Sequence, residues 1–265
     1  MYNTFELAWK YGRYLLKAEN GKGHGIHSPF VFDFVTLVLN DSREFPCFRG
    51  IESRRRALLR DATPIDVEDL GAGSGRLSLR RRRVKDIARS SLKNKKFARL
   101  LYRIISFYHP EHLLELGTSL GITTAYLACA AGKGTVHTLE GAPEIAAIAR
   151  KTFESLAFRN IIQVPGNFDD SLPAVLSGLN RLDFAFIDGN HREEPTLRYF
   201  EAILSGMHND SVIIVDDVHW SAEMENAWKS IREHPAVTLT IDLFFIGVVF
   251  FKKEFLVKQH FSIRY

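Results

Sequence analysis

From about residue 100 onward, short apolar runs alternate with segments of helical periodicity. Pro143–Ala157 is the clearest helical segment, because Pro143 suits a first turn and the apolar residues that follow fall on one face. Such alternation is typical of βαβ units, in which helices cover both faces of a parallel sheet. The runs predicted as buried strands are His112–Leu116, Thr135–Leu139, Ile161–Val164, Leu182–Ile187 and Val212–Val215.

Both ends of the chain depart from this pattern. Val237–Asp242 and Ile246–Phe251 are β-rich runs with no room for a helix between them, so we expect a hairpin that adds an antiparallel strand. The first 99 residues show helical patterns, such as the apolar stretch Phe30–Leu39 behind Ser28 and Pro29. We therefore predict an N-terminal helical extension over residues 1–99 and an α/β catalytic domain over residues 100–265.

The net charge of +4 comes from one segment. Between Arg76 and Arg99 there are eleven basic residues and one acid, Asp86, while the remaining residues include 24 basic and 30 acidic side chains. The basic segment 76–99 is expected to be a solvated helix face or loop, or else a site for phosphate or an acidic substrate. The bulk of the chain is mildly acidic, which weakens a nucleic-acid interpretation based on net charge.

The sequence predicts a cytoplasmic protein without a membrane span. The first residues lack the basic-then-apolar order of a signal peptide. The longest apolar run, Leu243–Phe251, has nine residues, whereas a membrane helix needs roughly 20. Cys47 and Cys129 are too few and too far apart in sequence to suggest a disulfide framework or a thiolate metal site.

Two glycine-rich segments could form a nucleotide-binding loop. Asp69–Gly75 has the higher glycine density, but no second strand ending in an acid follows it, so the Gly71–Gly75 loop is left without a role. The second segment, Leu113–Thr123, follows an apolar strand and opens into a small, apolar helix. The next strand ends at Glu140, 23 residues after Gly117, where a carboxylate can bind ribose hydroxyls.

Residue 119 separates the possible cofactors. A dinucleotide loop has glycine at this position so that the backbone can approach the pyrophosphate, and here it is Ser119. This argues against NAD and suits S-adenosylmethionine, which has ribose and adenine but no phosphate. The alternative is that residues 115–121 are only a tight strand-to-helix turn.

The segment LLELGTSLGITT, residues 113–124, resembles the first motif of the class I S-adenosylmethionine-dependent methyltransferases, and in particular of the metal-dependent O-methyltransferases of the catechol and caffeoyl-CoA type. IDGNH, residues 187–191, together with VDDVHW, residues 215–220, is similar to motifs of the antibiotic-sugar O-methyltransferases. The resemblance covers about two-thirds of the chain. It implies a Rossmann-like methyltransferase fold with a seven-stranded, mostly parallel sheet, helices on both faces and a C-terminal antiparallel hairpin strand.

The resemblance also implies roles for individual residues. Glu115 would lie near the methionine amino group, Thr123 would help to hold the methionine carboxylate, and Glu140 would bind the ribose. Asn167 and Phe168 would flank the adenine, with a simple strand-end turn as the alternative. The implied cofactor-binding set is Glu115, Gly117, Thr118, Ser119, Gly121, Thr123, Glu140, Gly141, Asn167, Phe168 and Asp188.

Three carboxylates follow predicted strands. Asp188 closes one strand, and Asp216 and Asp217 close the next. Because parallel strands place such residues at one sheet edge, mutual repulsion favours a cation between them, Mg²⁺ or a similar divalent ion with oxygen ligands. One of the three could instead be a helix cap or an ion-pair partner.

His191 stands three residues after Asp188, where the resembled family often has its general base. The predicted reaction is in-line methyl transfer to a metal-bound hydroxyl of a small molecule, with Asp188 and His191 as catalytic residues. His219 is a second candidate for the base, and Trp220 is expected to pack or to wall the pocket.

Three alternatives stay open. The basic segment could bind RNA, as in methyltransferases that act on tRNA; the chain could be a non-catalytic binding protein; or it could be a nicotinamide oxidoreductase, which Ser119 disfavours. The methyl acceptor is not identified by the sequence. A homodimer is possible, since dimers are the commonest oligomers.

Overall fold

The computed structural model describes residues 1–68 and 79–265 of the chain. The Gly71–Gly75 loop and Arg76, at the start of the basic segment, lie outside the described residues. One π-helical segment, Phe34–Leu39, follows the second α-helix. The α-helices are, in chain order, α1 (Thr4–Lys17), α2 (Pro29–Asp33), α3 (Pro46–Leu58), α4 (Val84–Ser91), α5 (Lys95–Tyr108), α6 (Ile122–Ala131), α7 (Pro143–Ser155), α8 (Phe168–Ser177), α9 (Glu193–Leu204) and α10 (Ala222–Glu233).

The strands confirm the predicted α/β pattern. All seven apolar runs proposed as strands contain one, although two of them begin two residues later than predicted. Eight strands, from β3 (His112–Leu116) to β10 (Gln259–Ser262), are mostly parallel, and the eighth, β10, lies beyond the predicted hairpin. The strands are β1 (Pro64–Glu68), β2 (Leu79–Arg83), β3 (His112–Leu116), β4 (Thr135–Glu140), β5 (Ile161–Pro165), β6 (Phe184–Ile187), β7 (Val212–Asp216), β8 (Leu239–Asp242), β9 (Ile246–Phe250) and β10 (Gln259–Ser262).

The described chain divides into two compact units. The first contains residues 1–41 and 179–265. Its strands follow the order β10, β8, β9, β7, β6. β9 is antiparallel to both β8 and β7, so the predicted terminal hairpin is confirmed, while β6 and β7 are parallel. Strands β6, β7 and β9 are buried throughout, as expected for the interior of an α/β sheet.

The second unit contains residues 42–178. Its parallel strands have β4 between β3 and β5, and α6 connects β3 to β4. A core cluster from α3, α5 and α6 includes Phe48, Tyr102 and Tyr126. The basic segment is not one helix face in this unit, since its described residues belong to β2, to α4, to the short connection that follows α4 and to the start of α5. β2 pairs antiparallel with β1, a hairpin that the sequence analysis did not predict.

The two cysteines correct one expectation. Cys47, near the start of α3, and Cys129, near the end of α6, form a disulfide across 82 residues of sequence. Their separation in sequence did not predict their distance in the fold. Because α3 packs on α6, the two Cα atoms lie 6.9 Å from each other. A pair of helices that pack in the core can therefore join cysteines that no local sequence spacing would connect.

Helix α1 carries its apolar residues on the surface. The side chains of Phe5 and Leu16 are 82% exposed, and no residue of α1 is buried. The helix is attached through the ion pair of 2.9 Å between Lys10 Nζ and Glu225 Oε2 and through ring contacts of Tyr11 and Tyr14 with Phe244. No helix in the described part of the chain has both the length and the apolar composition that crossing a bilayer requires.

Candidate active site

The turn between β3 and α6 is shaped by residues with positive φ. Gly117, Ser119 and Gly121 have φ of 104°, 48° and 81°. At Gly121 a side chain is also excluded by contact, because a Cβ atom would lie 2.6 Å from Phe153 Cε1. Ser119 has the left-handed conformation that non-glycine residues seldom adopt. The sequence Gly117–Gly121 therefore specifies a turn that opens directly into α6.

Glu140 is held against this turn. Its Oε2 atom accepts a hydrogen bond of 2.8 Å from the Ser119 N–H, and its Oε1 atom accepts one of 3.0 Å from Ala142 N–H. Burial raises the pKa of the Glu140 carboxyl, although the backbone N–H groups of Ala142, Ser119 and Gly141 act in the opposite direction. A carboxylate oxygen that accepts one bond retains a second lone pair. Glu140 is thus fixed in orientation and can still accept from ligand hydroxyls.

Glu115 is a fully buried carboxyl on β3. Its Oε2 atom accepts hydrogen bonds from the hydroxyls of Thr124 and Thr138, the latter at 2.6 Å. Its Oε1 atom is also buried and has no hydrogen-bond partner among the described residues. Burial is the main cause that raises the pKa of Glu115 to about 7. A buried acceptor without a donor is rare in folded proteins and is often explained by a bound group.

The other residues of the predicted cofactor set differ in what they could offer a ligand. Thr118 is turned into the interior, where its hydroxyl lies 2.6 Å from that of Thr138, so it contributes backbone rather than a side chain. Thr123 is buried in the first turn of α6, and Ser119 Oγ has no partner in the described chain. Gly141 lies between Glu140 and Ala142.

Asn167 and Phe168 lie at the start of α8. Asn167 caps this helix, because its Oδ1 accepts a hydrogen bond of 3.1 Å from Asp169 N–H. Gly166, with φ of 131°, precedes it and donates to Glu140 O at 2.8 Å. The structure therefore gives Asn167 a local role, and its predicted contact with adenine stays a prediction.

Two of the three predicted carboxylates lie beside His191 in the first unit. Asp188 follows β6, Asp216 ends β7, and Asp217 comes next with φ of 54°. His191 Nε2 lies 3.7 Å from Asp188 Oδ1, and His191 Nδ1 lies 3.9 Å from Asp217 Oδ2. Asp216 is 1% exposed, whereas the His191 side chain is 36% exposed. The structure thus brings Asp188 and Asp217 to an accessible imidazole, while Asp216 is buried at the end of β7.

The described residues contain no group of three or more His, Cys, Asp and Glu side chains arranged to hold a metal ion. Asp188 and Asp217 are both directed at His191. As arranged here, the carboxylates do not fit a preformed cation site.

His219 belongs to a different cluster. Its Nε2 atom lies 2.8 Å from Asp242 Oδ2, and its Nδ1 atom lies 3.0 Å from Glu225 Oε1. Burial alone would lower the pKa of His219, but the hydrogen bonds and charges of Asp242 and Glu225 outweigh it and raise the pKa. Trp228 Nε1 also donates to Asp242, at 3.1 Å. His219 is committed to these contacts and is poorly placed to act as a base.

Sequence reasoning missed the partners of His219. Asp242 is the last residue of β8, so the strand-end position that marked Asp188 and Asp216 could have marked it too. Glu225 lies in the first turn of α10, where an acid is expected for helix stability alone. Trp220 was predicted to pack, and its backbone N–H donates to Asp217 O at 2.9 Å.

Comparisons with known proteins agree with this fold. Residues 114–218 match the family described as a methyltransferase domain. An O-methyltransferase from Bacillus cereus in complex with SAH is 19% identical, with a TM-score of 0.56 over 83% of this chain and 96% of that one. A Podospora anserina methyltransferase bound to SAH is 12% identical, with a TM-score of 0.60 over 96% and 98%.

A third similar structure is the O-methyltransferase from Streptomyces achromogenes involved in tomaymycin synthesis, in complex with SAM. It is 18% identical, with a TM-score of 0.55 over 84% of this chain and 95% of that one. The likeness extends over most of each chain, so the Rossmann-like methyltransferase fold predicted from the sequence is confirmed. The chain accordingly has the class I methyltransferase fold, residues 114–218 match a methyltransferase domain, and the chain resembles the O-methyltransferases of that class.

Proposed function

We propose that this protein is an S-adenosylmethionine-dependent methyltransferase that methylates a hydroxyl group of a small molecule. The observation that carries the proposal is the Gly117–Gly121 turn, which opens α6 and orients Glu140 through the Ser119 N–H. A carboxylate at the end of the second strand is the group that binds ribose hydroxyls in nucleotide-binding α/β folds. The match of residues 114–218 to a methyltransferase domain supports the same cofactor.

Glu115 fits the amino end of this cofactor. Its buried Oε1 atom has no hydrogen-bond partner in the described chain, and the ammonium group of a methionine moiety would supply one. The N-terminus of α6, with Thr123 in its first turn, suits the methionine carboxylate. When bound, the cofactor supplies an electrophilic methyl group on a positively charged sulfur.

His191 is the proposed general base. Asp188 and Asp217 lie on opposite sides of its ring, so both carboxylates stabilise the imidazolium that forms when His191 accepts a proton. The substrate hydroxyl gives its proton to His191 while its oxygen forms a bond to the methyl carbon and the carbon–sulfur bond breaks. General base catalysis of this kind contributes about 10²–10⁴ in rate.

The hydroxyl specificity rests on the named neighbours. The proteins from Bacillus cereus and Streptomyces achromogenes are both O-methyltransferases, and both share the fold with this chain. A histidine base also suits an oxygen acceptor, because a hydroxyl must lose its proton to become a good nucleophile. A phenolic hydroxyl, with a pKa near 10, needs less activation than an aliphatic alcohol.

Assistance by a divalent cation is a separate, finer part of the proposal. The supporting feature is chemical, since Asp188, Asp216 and Asp217 offer the oxygen ligands that Mg²⁺ prefers. No step above is routed through a cation, because the described carboxylates do not form a preformed site. If EDTA removes activity and Mg²⁺ restores it, the reaction requires a divalent cation. Activity that is unchanged in EDTA would contradict a role for the cation.

The proposal is tested by following a tritiated methyl group from S-adenosylmethionine into a panel of phenols, catechols and sugar hydroxyls. We expect transfer to at least one hydroxyl class, with S-adenosylhomocysteine as the second product. Transfer to amines alone would contradict the hydroxyl specificity. Failure of the protein to bind S-adenosylmethionine in calorimetry would contradict the proposal as a whole.

A further inference from the structure

The second unit contains a pocket that the proposed function does not use. Its volume is about 460 Å³, within the range of roughly 300–1,000 Å³ that is typical of small-molecule sites. Its walls come from residues just before α3, from one face of α3 and from the first turns of α5. We call it the α3–α5 pocket; the residues that matter below are Phe45, Arg49, Glu52, Arg56, Lys95 and Arg99.

The acidic groups of this pocket are already paired. Glu44 makes a two-pronged ion pair with Arg99, in which Arg99 Nη2 lies 2.6 Å from Glu44 Oε2. Glu52 Oε1 accepts hydrogen bonds from Arg55 Nε at 2.9 Å and from the Tyr126 hydroxyl at 2.8 Å. Both carboxylates therefore neutralise or bind groups of the protein itself.

Three cations of the pocket remain uncompensated. Arg49, Arg56 and Lys95 have no acidic partner among the described residues, and all three are exposed. Arg49 and Arg56 are seven residues apart, which places both on one face of α3 two turns from each other. The pocket thus concentrates positive charge that the described part of the protein does not balance.

An aromatic wall lies beside these cations. Phe48 is 3% exposed, and the Arg99 guanidinium lies 4.8 Å from the centroid of its ring. The Phe45 ring packs against Tyr102 at a centroid distance of 4.6 Å and remains partly exposed. This wall is held in place by the core of the unit, so it is formed before any ligand arrives.

The pocket accounts for one end of the basic segment. Lys95 and Arg99 belong to that segment, and α3 adds Arg49 and Arg56, which the sequence analysis did not single out. Elsewhere in the segment Arg89 pairs with Asp86 at 3.2 Å on the surface. The basic segment was interpreted either as a solvated surface or as an anion site. Its last residues, Lys95 and Arg99, favour an anion site because both line the pocket.

We propose that the α3–α5 pocket binds a small molecule that carries a phosphate group and a ring, with the phosphate at Arg49, Arg56 and Lys95 and the ring against Phe45. Guanidinium groups bind phosphate oxygens in two-pronged geometry, and three cations match a dianionic or more highly charged group better than a single carboxylate. The apolar wall gives a ring a surface on which to pack. This site goes beyond the proposed methyl transfer and does not depend on it.

The test is calorimetric titration with 1-naphthyl phosphate in the presence of saturating S-adenosylhomocysteine. The probe has no adenosine, so it does not compete for the proposed cofactor site. We expect binding to the unaltered protein, and an affinity lower by about tenfold or more in the Arg49→Gln/Arg56→Gln variant. Arg60→Gln is the matched control, because Arg60 is an exposed cation next to α3 that does not line the pocket. Its affinity should stay within about twofold of the unaltered protein.

Two further probes separate the sources of affinity. 1-Naphthol, which lacks the phosphate, should not bind, and inorganic pyrophosphate should bind with the same dependence on Arg49 and Arg56. Equal affinity of the double variant and the unaltered protein for 1-naphthyl phosphate would overturn the proposal, as would absence of binding. Binding of a 20-nucleotide RNA without binding of either small phosphate would also overturn it, in favour of nucleic acid. Thermal unfolding of each variant checks that it is folded.

Discussion

The backbone N–H of Ser119 donates a hydrogen bond of 2.8 Å to Glu140 Oε2. The bond joins the turn after β3 to the end of β4, two places that are 21 residues apart in sequence. Ser119 can make it because its backbone adopts a left-handed conformation, with φ of 48°. Ser119, whose side chain distinguishes this turn from a dinucleotide loop, therefore also fixes Glu140, the acid of the proposed cofactor site.

Gly121→Ala should destabilise the fold. The new Cβ atom would meet Phe153 Cε1 at 2.6 Å, and φ of 81° is unfavourable for alanine, so we expect a loss of about 1–3 kcal/mol in the free energy of unfolding. Urea titration measures this. Gly132→Ala is the matched control, because Gly132 also has positive φ but no atom lies within 4 Å of the position that its new methyl group would occupy. Equal losses in the two variants would assign the effect to backbone strain alone.

Glu115→Gln should separate stability from cofactor binding. Because burial raises the Glu115 pKa to about 7, the folded state holds a proton more tightly than the unfolded state does. The stability that this carboxyl contributes is present below its unfolded pKa and is lost as pH rises towards 7. The variant should lose that part of the pH dependence in urea titrations without ligand.

The same variant should bind S-adenosylmethionine more weakly, since an amide cannot pair with an ammonium as a carboxylate does. We expect a loss of about tenfold or more in affinity by calorimetry. Weaker binding without a change in the pH dependence of stability would contradict the burial argument. Unchanged binding would remove Glu115 from the cofactor site.

His219→Gln should change how stability depends on pH. The His219 pKa is raised, so its contribution is present below its unfolded pKa of about 6.5 and is lost as pH rises through the folded value. The pKa values of Asp242 and Glu225 are lowered. The stability that these two carboxylates contribute is therefore present above about pH 4.5 and is lost in more acidic solution. The network should be strongest between about pH 4.5 and 6.5.

Urea titrations of the unaltered protein and of His219→Gln, at a series of pH values, measure this. The difference in stability between them should be largest in that window and should shrink at higher pH. His24→Gln, at an exposed histidine, is the control and should show no such pattern. A difference between His219→Gln and the unaltered protein that does not vary with pH would contradict the ion-pair description.

His191→Gln should lower kcat by about 10²–10⁴ with a small effect on KM, because it removes the proposed base and leaves the cofactor residues in place. His208→Gln is a suitable control, since His208 is paired with Asp183 at 2.8 Å and takes no part in the proposed chemistry. A kcat unchanged in His191→Gln would assign proton removal to another group.

The sequence predicted local features better than contacts between distant segments. The strand ends near Glu140, Asp188 and Asp216 could be predicted, because each of these acids lies at or just after the end of an apolar run. The disulfide of Cys47 and Cys129 could not be predicted, since it depends on how α3 packs on α6. The His219 cluster could not be predicted for the same reason, since the terminal hairpin brings Asp242 to His219.

The α3–α5 pocket shows the same limit. Lys95 and Arg99 were visible in the basic segment, but Arg49 and Arg56 are separated from them by about 40 residues of sequence. Only the packing of α3 and α5 in one unit reveals that these four cations share a pocket. Charge counted along the chain identified a basic segment and could not identify which of its members act together.

Calorimetric titration of S-adenosylmethionine into the unaltered protein, Glu140→Gln and Glu154→Gln tests whether Glu140 binds the cofactor. Glu154 is an exposed acid on α7, so its replacement controls for the change of charge. We expect Glu140→Gln to weaken binding by about 10- to 100-fold, because the ribose hydroxyls lose a charged acceptor, and Glu154→Gln to bind as the unaltered protein does. Equal affinities in all three proteins would contradict the assignment of the Gly117–Gly121 turn and Glu140 as the cofactor site.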